Sequence, residues 1–258
     1  MTEEPIFIRR RISHYGAMSK LNLDDKNREK VQRLLGKAER KLEVSTAGNA
    51  EHFPVVCVGG SAGGLDAYIR LLKHLPTDMG VAVVIVTHLR FVATQLNKIL
   101  PRHTVMPVEL ITEGLVLQPN RVFIIPEKRD LHVFDGEFRL KPISKPRGWP
   151  NVVTVFLRSL TRHWDGRIIA VIVSGYDGDG AAALCGIKEV GGITIAQKPE
   201  TAAQPDMPES AIASGFVDFI LCPEDIARKI AKIVGAKGGL TTPPVLAPIA
   251  RDQPRPSG

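Results

Sequence analysis

Short, continuous apolar runs alternate with helical patterns through the middle of this 258-residue chain. The first run, Val55–Val58, ends in glycines and precedes a helical pattern from Leu65 to Leu75. The second run, Ala82–Val86, precedes a helical pattern through Leu96 and Leu100. Strands that are apolar at every position are typical of parallel sheets covered on both faces. Their alternation with helices predicts an α/β fold.

The same alternation continues to about residue 235. Further strands are predicted at Arg121–Ile125, Ile168–Val173, Ile193–Ala196 and Phe216–Ile220. Further helices are predicted at Val152–Trp164, Ala181–Val190 and Pro223–Val234. A hairpin is predicted at Leu131–Leu140, where Asp135-Gly136 supplies the turn. We therefore expect residues 53–235 to form a doubly wound, mostly parallel sheet with helices on both faces and a small β-hairpin excursion.

The two ends of the chain differ in composition from this middle part. Residues 1–52 are predicted to be a basic N-terminal extension with one amphipathic helix, starting near Asp24 and Asp25. The apolar residues of this helix recur at helical spacing: Val31, Leu34, Leu35, Ala38 and Leu42. Residues 236–258 are rich in proline and glycine and are predicted to be a disordered tail.

Composition and charge exclude several classes of function. The formal net charge of +7 leaves room for an acidic partner, but the basic residues are scattered and not interleaved with aromatic ones, so no nucleic-acid binding is expected. No apolar run approaches the ~20 residues needed to span a bilayer, and no membrane insertion is expected. The N-terminus lacks the apolar segment of a signal peptide, which predicts a cytoplasmic location. Cys57, Cys185 and Cys222 form no zinc-type spacing and are predicted to be free thiols.

Polar residues follow three of the predicted strands. The first group is the glycine-rich segment Gly59–Gly64 around Ser61, the second is Thr87-His88, and the third is Ser174–Gly180. In an open parallel sheet, sites form beyond the carboxyl ends of the strands. Together these ends supply a nucleophile, a base and an acid.

Ser61 lies in a G-x-S-x-G pattern between a strand and a helix. The flanking glycines permit a tight turn that exposes the hydroxyl, and the helix N-terminus offers N–H groups to a developing oxyanion. A phosphate-binding loop or a plain tight turn is the alternative. A dinucleotide site is disfavoured, because Ser61 takes the place of the second glycine and no ribose-binding acid ends the second strand.

The base and the acid are less sharply defined by the residues alone. A lone histidine such as His88 is more often structural, but its place directly after a strand next to that of Ser61 favours a catalytic role. Asp177 and Asp179 share a glycine-rich loop, and either could orient the imidazole. They could equally be turn residues or magnesium ligands, although no phosphate-binding lysine accompanies them. The residues leave the choice between the two aspartates open.

The chain resembles the catalytic domain of CheB-type chemotaxis protein-glutamate methylesterases over residues 53–233. The matching motifs occur in the family's order along the chain: Val58–Gly64, Thr87–Leu89, Asn120–Pro126, Phe156–Leu160, Ser174–Gly180, Gly191–Gln197, and Met207-Pro208 with Ala211.

The resemblance implies a doubly wound α/β hydrolase with Ser61 as nucleophile, His88 as general base and Asp179 as the orienting acid. It also implies an oxyanion hole formed by backbone N–H groups near Ala62 and Tyr176, with no metal and no organic cofactor. The implied reaction hydrolyses glutamate γ-methyl esters on chemoreceptors and releases methanol. Some members of the family also deamidate glutamines.

Several residues depart from the family pattern. Tyr176 replaces a methionine and Asp177 a glycine in the loop of the acid, while Thr87 replaces a glutamine before the histidine. Asp206 and Glu209 replace a glycine and an arginine, which makes the rim of the site more acidic. The family also often has an aspartate near the position of Thr154.

These departures leave the triad intact but leave alternatives for the function. One is a repurposed or non-catalytic relative that binds a helical signalling partner, and another is a hydrolase of small esters. The first 53 residues are too short for the receiver domain that typical family members carry and show no acidic phosphorylation pocket, so these residues are not expected to provide regulation by aspartyl phosphorylation.

Overall fold

A seven-stranded parallel sheet forms the centre of the chain in this computed structural model. The structure describes residues 27–29, 31–36, 53–88, 93–145, 150–164 and 166–235. Within these residues the strand order is β3-β4-β2-β1-β7-β8-β9. The strands of this sheet are β1 Val55–Gly60, β2 Ala82–Thr87, β3 Val108–Leu110, β4 Arg121–Ile124, β7 Ile168–Ile172, β8 Ile193–Gln197 and β9 Phe219–Leu221.

Helices cover both faces of this sheet. The helices are α1 Gly64–His74, α2 Ala93–Ile99, α3 Val152–His163, α4 Leu184–Glu189, α5 Asp206–Ala213 and α6 Pro223–Gly235. Leu71 of α1, Leu96 of α2 and Ile230 of α6 belong to the apolar cluster on one face. Phe156 of α3 and Ile187 of α4 belong to the cluster on the other face, together with Met207 of α5. Short 3₁₀ turns lie at Leu100–Arg102, Ala181–Ala183 and Pro199–Thr201.

The continuous apolar strands are explained by this double covering. Val55 and Cys57 of β1 point into the cluster that contains α3, whereas Val56 and Val58 point into the cluster that contains α1. Each is at most 1% exposed, because successive side chains of a strand point to opposite faces and both faces are buried. The predicted doubly wound parallel sheet is confirmed.

The chain reverses its direction of winding at β1. Strands β2, β4 and β3 lie to one side of β1, and β7, β8 and β9 lie to the other. Such a switch point leaves a crevice beyond the carboxyl ends of the central strands. Gly60 of β1 pairs with Thr87 of β2, so Ser61 and His88 leave adjacent strands at the same level.

The predicted hairpin is also present. Strands β5 (Arg129–Phe134) and β6 (Glu137–Pro142) pair antiparallel, with Phe134 opposite Glu137. The turn residues Asp135 and Gly136 both have positive φ, at 53° and 75°, as a two-residue hairpin turn requires. The hydroxyl of Ser159 on α3 accepts a hydrogen bond from the Val133 N–H at 2.9 Å and so fastens the hairpin to the sheet domain.

Three elements differ from the sequence prediction. The last strand lies at Phe219–Leu221 and not at Phe216–Ile220, because Asp218 is taken up by hydrogen bonds to Thr194. Strand β3 and helix α5 were not predicted. The first has three residues, and the second carries Pro208 and has a weakly amphipathic sequence, so neither gives a strong periodic signal.

The predicted terminal segments lie largely outside the described residues. Residues 27–29 and 31–36 are helical, and Val31 is buried, which agrees with part of the predicted N-terminal helix. Its start at Asp24 and Asp25 and its end at Ala38 and Leu42, like the tail 236–258, are not among the described residues. In the described part of the chain, no helix combines the length and the apolar character needed to cross a membrane. The cytoplasmic location stays a prediction.

Gly59→Ala is expected to lower the free energy of unfolding by about 1–3 kcal/mol, because the added methyl group would overlap the side chain of Val153 on α3. Chemical denaturation followed by circular dichroism measures this loss. Gly186→Ala in α4 is the matched control, since its methyl group meets only Thr161 Cγ2 at 3.9 Å. The control should be neutral or stabilising by about 0.5–1 kcal/mol. Equal effects of the two substitutions would contradict the close packing of β1 on α3.

Candidate active site

Ser61 occupies a tight turn between β1 and α1. Its N–H donates a hydrogen bond to the carbonyl oxygen of Ser174 at 2.9 Å, and its own carbonyl accepts one from the Gly64 N–H at 3.0 Å. Gly63 adopts a φ of 75°, a left-handed conformation that glycine reaches without strain, and helix α1 begins at the next residue. The turn places Ser61 at the N-terminal end of a helix, as the G-x-S-x-G pattern predicts.

The side chain of Ser174 joins this turn to the loop after β7. Its hydroxyl donates a hydrogen bond to the carbonyl oxygen of Ala62 at 2.9 Å and accepts one from the Gln204 N–H at 2.9 Å. Its N–H donates to Oε1 of the buried Gln197 at 2.9 Å. Three loops are therefore held together by one serine that is 1% exposed.

Gly175 lies directly against Ser61. A methyl group at Gly175 would come within 2.9 Å of both the backbone nitrogen and Cβ of Ser61, and it would overlap Met207 on α5. Only glycine fits between these two neighbours. The close contact brings the next residue, Tyr176, into the neighbourhood of Ser61 and Ala62, the region where the oxyanion hole is predicted. The side chain of Tyr176 is 42% exposed.

His88 and Asp179 form a buried hydrogen-bonded pair. The Nε2 atom of His88 lies 2.7 Å from Oδ2 of Asp179, and the two side chains are 2% and 1% exposed. With Asp179 ionised, Nε2 carries the hydrogen of this bond, and the lone pair of the neutral ring is on Nδ1. Nδ1 is therefore the atom that can accept a proton. It is buried and forms no hydrogen bond with Ser61 or any other described residue.

The carboxylate of Asp179 is bound by the N-terminus of α3. Oδ2 accepts a hydrogen bond from the Val153 N–H at 2.8 Å, and Oδ1 accepts one from the Thr154 N–H at 2.9 Å. The positive end of the helix dipole also favours an anion here. Burial opposes ionisation of Asp179, but the hydrogen bonds from His88, Thr154 and Val153 outweigh it and lower its pKa below the ordinary value.

Asp177 lies on the other side of the His88 ring. Its Oδ2 is 3.6 Å from Nδ1 of His88, while its Oδ1 accepts a hydrogen bond from the Asp179 N–H at 2.7 Å. The residue has a φ of 73°, a left-handed conformation that aspartate tolerates better than most residues. Burial raises the pKa of Asp177, and the Asp179 N–H and the positive form of His88 offset this only in part.

An open cavity of about 350 Å³ adjoins the two aspartates. Thr154, Asp177 and Asp179 line one part of it, and Lys145 and Asn151 line another. Asp206 and Glu209, at the start of α5, are exposed. Within the described residues, no three His, Cys, Asp or Glu side chains are grouped as a metal site.

The structure brings His88, Asp179 and Asp177 into contact and places Ser61 on the adjacent strand end. Sequence reasoning missed the groups that hold them, namely the N-terminus of α3 and the side chains of Ser174 and Gln197. A signal for Ser174 existed, because it lies in the third polar strand end. The contact between α3 and Asp179 joins residues that are 25 and 26 positions apart, so no local pattern could predict it.

The fold and the site together define a class. A serine on a strand-to-helix turn and a buried His–Asp pair, placed at the switch point of a parallel α/β sheet, are the side chains that serine hydrolases use.

Comparison with known proteins identifies the family. The family model described as CheB methylesterase matches residues 56–230. The chain is 33% identical over 185 residues to protein-glutamate methylesterase/protein-glutamine glutaminase 2 of Burkholderia pseudomallei strain 1710b, which covers 70% of this chain. It is 30% identical over 243 residues to the protein-glutamate methylesterase/protein-glutamine glutaminase of the group 3 operon of Rhizobium meliloti strain 1021, which covers 90% of this chain and 64% of that protein.

A solved structure agrees with these relatives. The crystal structure of the Thermotoga maritima CheB methylesterase catalytic domain matches with a TM-score of 0.64 and 26% identity, and the match covers 69% of this chain and 97% of that one. The chain belongs to the CheB methylesterase family, which confirms the predicted membership of a family of carboxylic ester hydrolases. It spans about half the length of the first Burkholderia relatives, 54% in the case of the B. pseudomallei protein.

Asp179→Asn is expected to lower the free energy of unfolding by about 2 kcal/mol at neutral pH, because an amide replaces a buried anion that accepts charge-assisted hydrogen bonds. Since the folded pKa of Asp179 is below the ordinary value of 3.8, the stabilisation is complete above about pH 4 and is lost as pH falls through the folded pKa. Thermal unfolding of both proteins between pH 3 and 7 measures the difference.

Asp66→Asn is the matched control for this experiment. Asp66 forms an exposed ion pair with Arg70 at 3.2 Å, so its loss should cost less than about 1 kcal/mol. A difference between wild type and Asp179→Asn that stays constant down to pH 3 would contradict the binding of an ionised Asp179 by α3.

Proposed function

We propose that this protein hydrolyses glutamate γ-methyl esters with Ser61 as nucleophile, His88 as general base and Asp179 as the acid that orients the imidazole. The observation that carries the proposal is the buried 2.7 Å contact between His88 Nε2 and Asp179, in a chain of the CheB methylesterase family. This contact leaves Nδ1 as the proton acceptor, at the same level of the sheet as Ser61.

The reaction starts with attack on the ester. Nδ1 of His88 accepts the hydroxyl proton as Ser61 Oγ bonds to the ester carbonyl carbon. Asp179 stabilises the resulting imidazolium through Nε2. The tetrahedral intermediate collapses when its C–OCH₃ bond breaks, and Nδ1 returns the proton to the leaving oxygen. Methanol departs, and the glutamyl group stays on Ser61 as an ester.

Water completes the turnover. His88 takes a proton from the water as the water oxygen attacks the glutamyl carbonyl, and it then returns the proton to Ser61 Oγ. The products are a glutamate side chain and the free serine. A glutamine substrate follows the same path with ammonia as the leaving group, so deamidation of glutamine is a second reaction that this apparatus can support.

The backbone N–H groups of Ala62 and Tyr176 are the proposed donors to the oxyanion. Ala62 follows Ser61 at the start of α1, where free N–H groups and the helix dipole favour a negative oxygen. Tyr176 follows Gly175, which packs on Ser61. The hydrogen bond from Ser174 Oγ to the Ala62 carbonyl fixes the relative position of the two segments.

The proposed substrate is a methylated chemoreceptor or a related signalling protein, and the proposed location is the cytoplasm. The support is the family and the name of the relatives, protein-glutamate methylesterase/protein-glutamine glutaminase. The exposed carboxylates of Asp206 and Glu209 disfavour an acidic segment at this rim, because like charges repel. We therefore expect neutral or basic residues next to the modified glutamate.

Ser61→Ala is expected to lower methanol release by at least about a thousandfold, because the acyl-enzyme cannot form without the hydroxyl. Receptor cytoplasmic fragments with radiolabelled methyl esters provide the substrate, and volatile radioactivity measures the release. Ser214→Ala is the matched control, since Ser214 Oγ donates to the Ala211 carbonyl at the end of α5 and takes no part in the proposed reaction.

Each outcome of this assay has one meaning. Release by the wild type and by Ser214→Ala, but not by Ser61→Ala, supports the proposal. Release that persists in Ser61→Ala would contradict the nucleophile. Tight binding of the fragment without release would favour a non-catalytic relative, and efficient cleavage of small esters alone would favour a small-ester hydrolase.

A further inference from the structure

Two buried polar atoms face each other beside the base without a hydrogen bond. Nδ1 of His88 and Oδ2 of Asp177 are both buried, have no hydrogen-bond partner among the described residues and lie 3.6 Å apart. With a neutral ring and an ionised carboxylate, a lone pair would face an anion at this distance, which is unfavourable. A proton on Nδ1 turns the same contact into an attraction.

The carboxylate of Asp177 is held in this position by a hydrogen bond within its own loop. Its Oδ1 accepts the 2.7 Å hydrogen bond from the Asp179 N–H, so the carboxylate is fixed in the loop that also carries the acid. The backbone of Asp177 has a left-handed φ of 73°. The contact with the ring therefore follows from a defined loop conformation. The relative position of Asp177 and Asp179 gives His88 a carboxylate at each ring nitrogen.

We propose that Asp177 is a positioning residue whose carboxylate faces Nδ1 of His88 and stabilises the imidazolium that forms when Ser61 attacks. This inference rests on the proposed roles of Ser61 and His88. When Nδ1 takes the serine proton, the ring carries a positive charge between two carboxylates, one at each nitrogen. The contact between Nδ1 and Asp177 then changes from an unfavourable one into an attraction, which favours transfer of the serine proton to the ring.

Other ionisable groups lie near His88 and Asp177. Asp179 binds the opposite nitrogen and favours the protonated ring, and Asp206 raises the pKa of Asp177 by repulsion. Lys145 lines the cavity next to Asp177 and Asp179. Burial raises the pKa of the Cys57 thiol, which therefore stays neutral. Among the described residues, Asp177 is the charged residue that lies within ion-pair distance of Nδ1.

Asp177→Asn tests the proposal with little change of shape. The amide oxygen can still accept the Asp179 N–H, and asparagine tolerates a left-handed φ. The readout is the rate at which a fluorophosphonate probe labels Ser61 between pH 5 and 10, which needs an activated serine but no methyl-ester substrate. The acid limb of this profile should move to lower pH by about one unit, because a neighbouring negative charge is lost. The plateau should fall about two- to tenfold.

Matched variants separate this effect from a general loss of charge or of structure. Asp206→Asn removes one carboxylate from the same rim and should move the acid limb much less. Asp177→Gly removes the carboxylate with a residue suited to the positive φ, and it should move the limb as Asp177→Asn does. Ser61→Ala gives the unlabelled background, and thermal unfolding checks that each variant is folded.

The possible outcomes are distinct. A limb that moves in both Asp177 variants and not in Asp206→Asn supports the proposal. A limb that stays in place, or that moves equally in Asp206→Asn, overturns it, as does a lower plateau alone. Normal labelling without ester hydrolysis would contradict the proposed methylesterase but not the role of Asp177. Absence of labelling in the wild type would contradict the triad and this role together.

Discussion

The carboxylate of Asp179 is the group on which the rest of the site depends. The carboxylate accepts hydrogen bonds from the N-terminus of α3 and from His88, and the backbone N–H of Asp179 donates one to Asp177. A buried anion is costly unless such donors surround it. Helix α3, the loop after β7 and the end of β2 must therefore be assembled before the carboxylate is satisfied. The same contacts fix the tautomer of His88, so the contacts that stabilise the fold also orient the proposed base.

The position of Ser61 depends on a second set of contacts, made through close packing. The switch point at β1 brings three strand ends together, but it does not fix their loops. Ser174 and Gly175 do so. Ser174 forms hydrogen bonds with Ala62 in the turn after β1, with Gln204 and with Gln197 at the end of β8, and Gly175 fills the narrow space between Ser61 and Met207. The glycines of this region are thus required by their neighbours as much as by their φ angles.

The sheet, its helices and the hairpin could be predicted because each leaves a local pattern, such as the continuous apolar run of β1 or the Asp135-Gly136 turn. Strand β3 and helix α5 could not, since one is short and the other weakly periodic. The residues drew attention to Ser61 and His88, whereas the choice of Asp179 over Asp177 came from the family resemblance. The structure separates the two aspartates by ring nitrogen: Asp179 binds Nε2 and Asp177 faces Nδ1. No sequence pattern contains that information, because it depends on the docking of α3 onto a distant loop.

We propose that Ser61, with the His88–Asp179 pair as its base, forms a covalent glutamyl ester during turnover. Rapid acid quench of the protein with a γ-methyl-glutamyl receptor peptide, followed by proteolysis and mass spectrometry, tests it most directly. We predict that the peptide containing Ser61 gains the mass of the acyl group within one turnover and loses it as glutamate is released. Methanol release with no adduct at any time, or with the adduct on a different residue, would contradict the role of Ser61 as nucleophile.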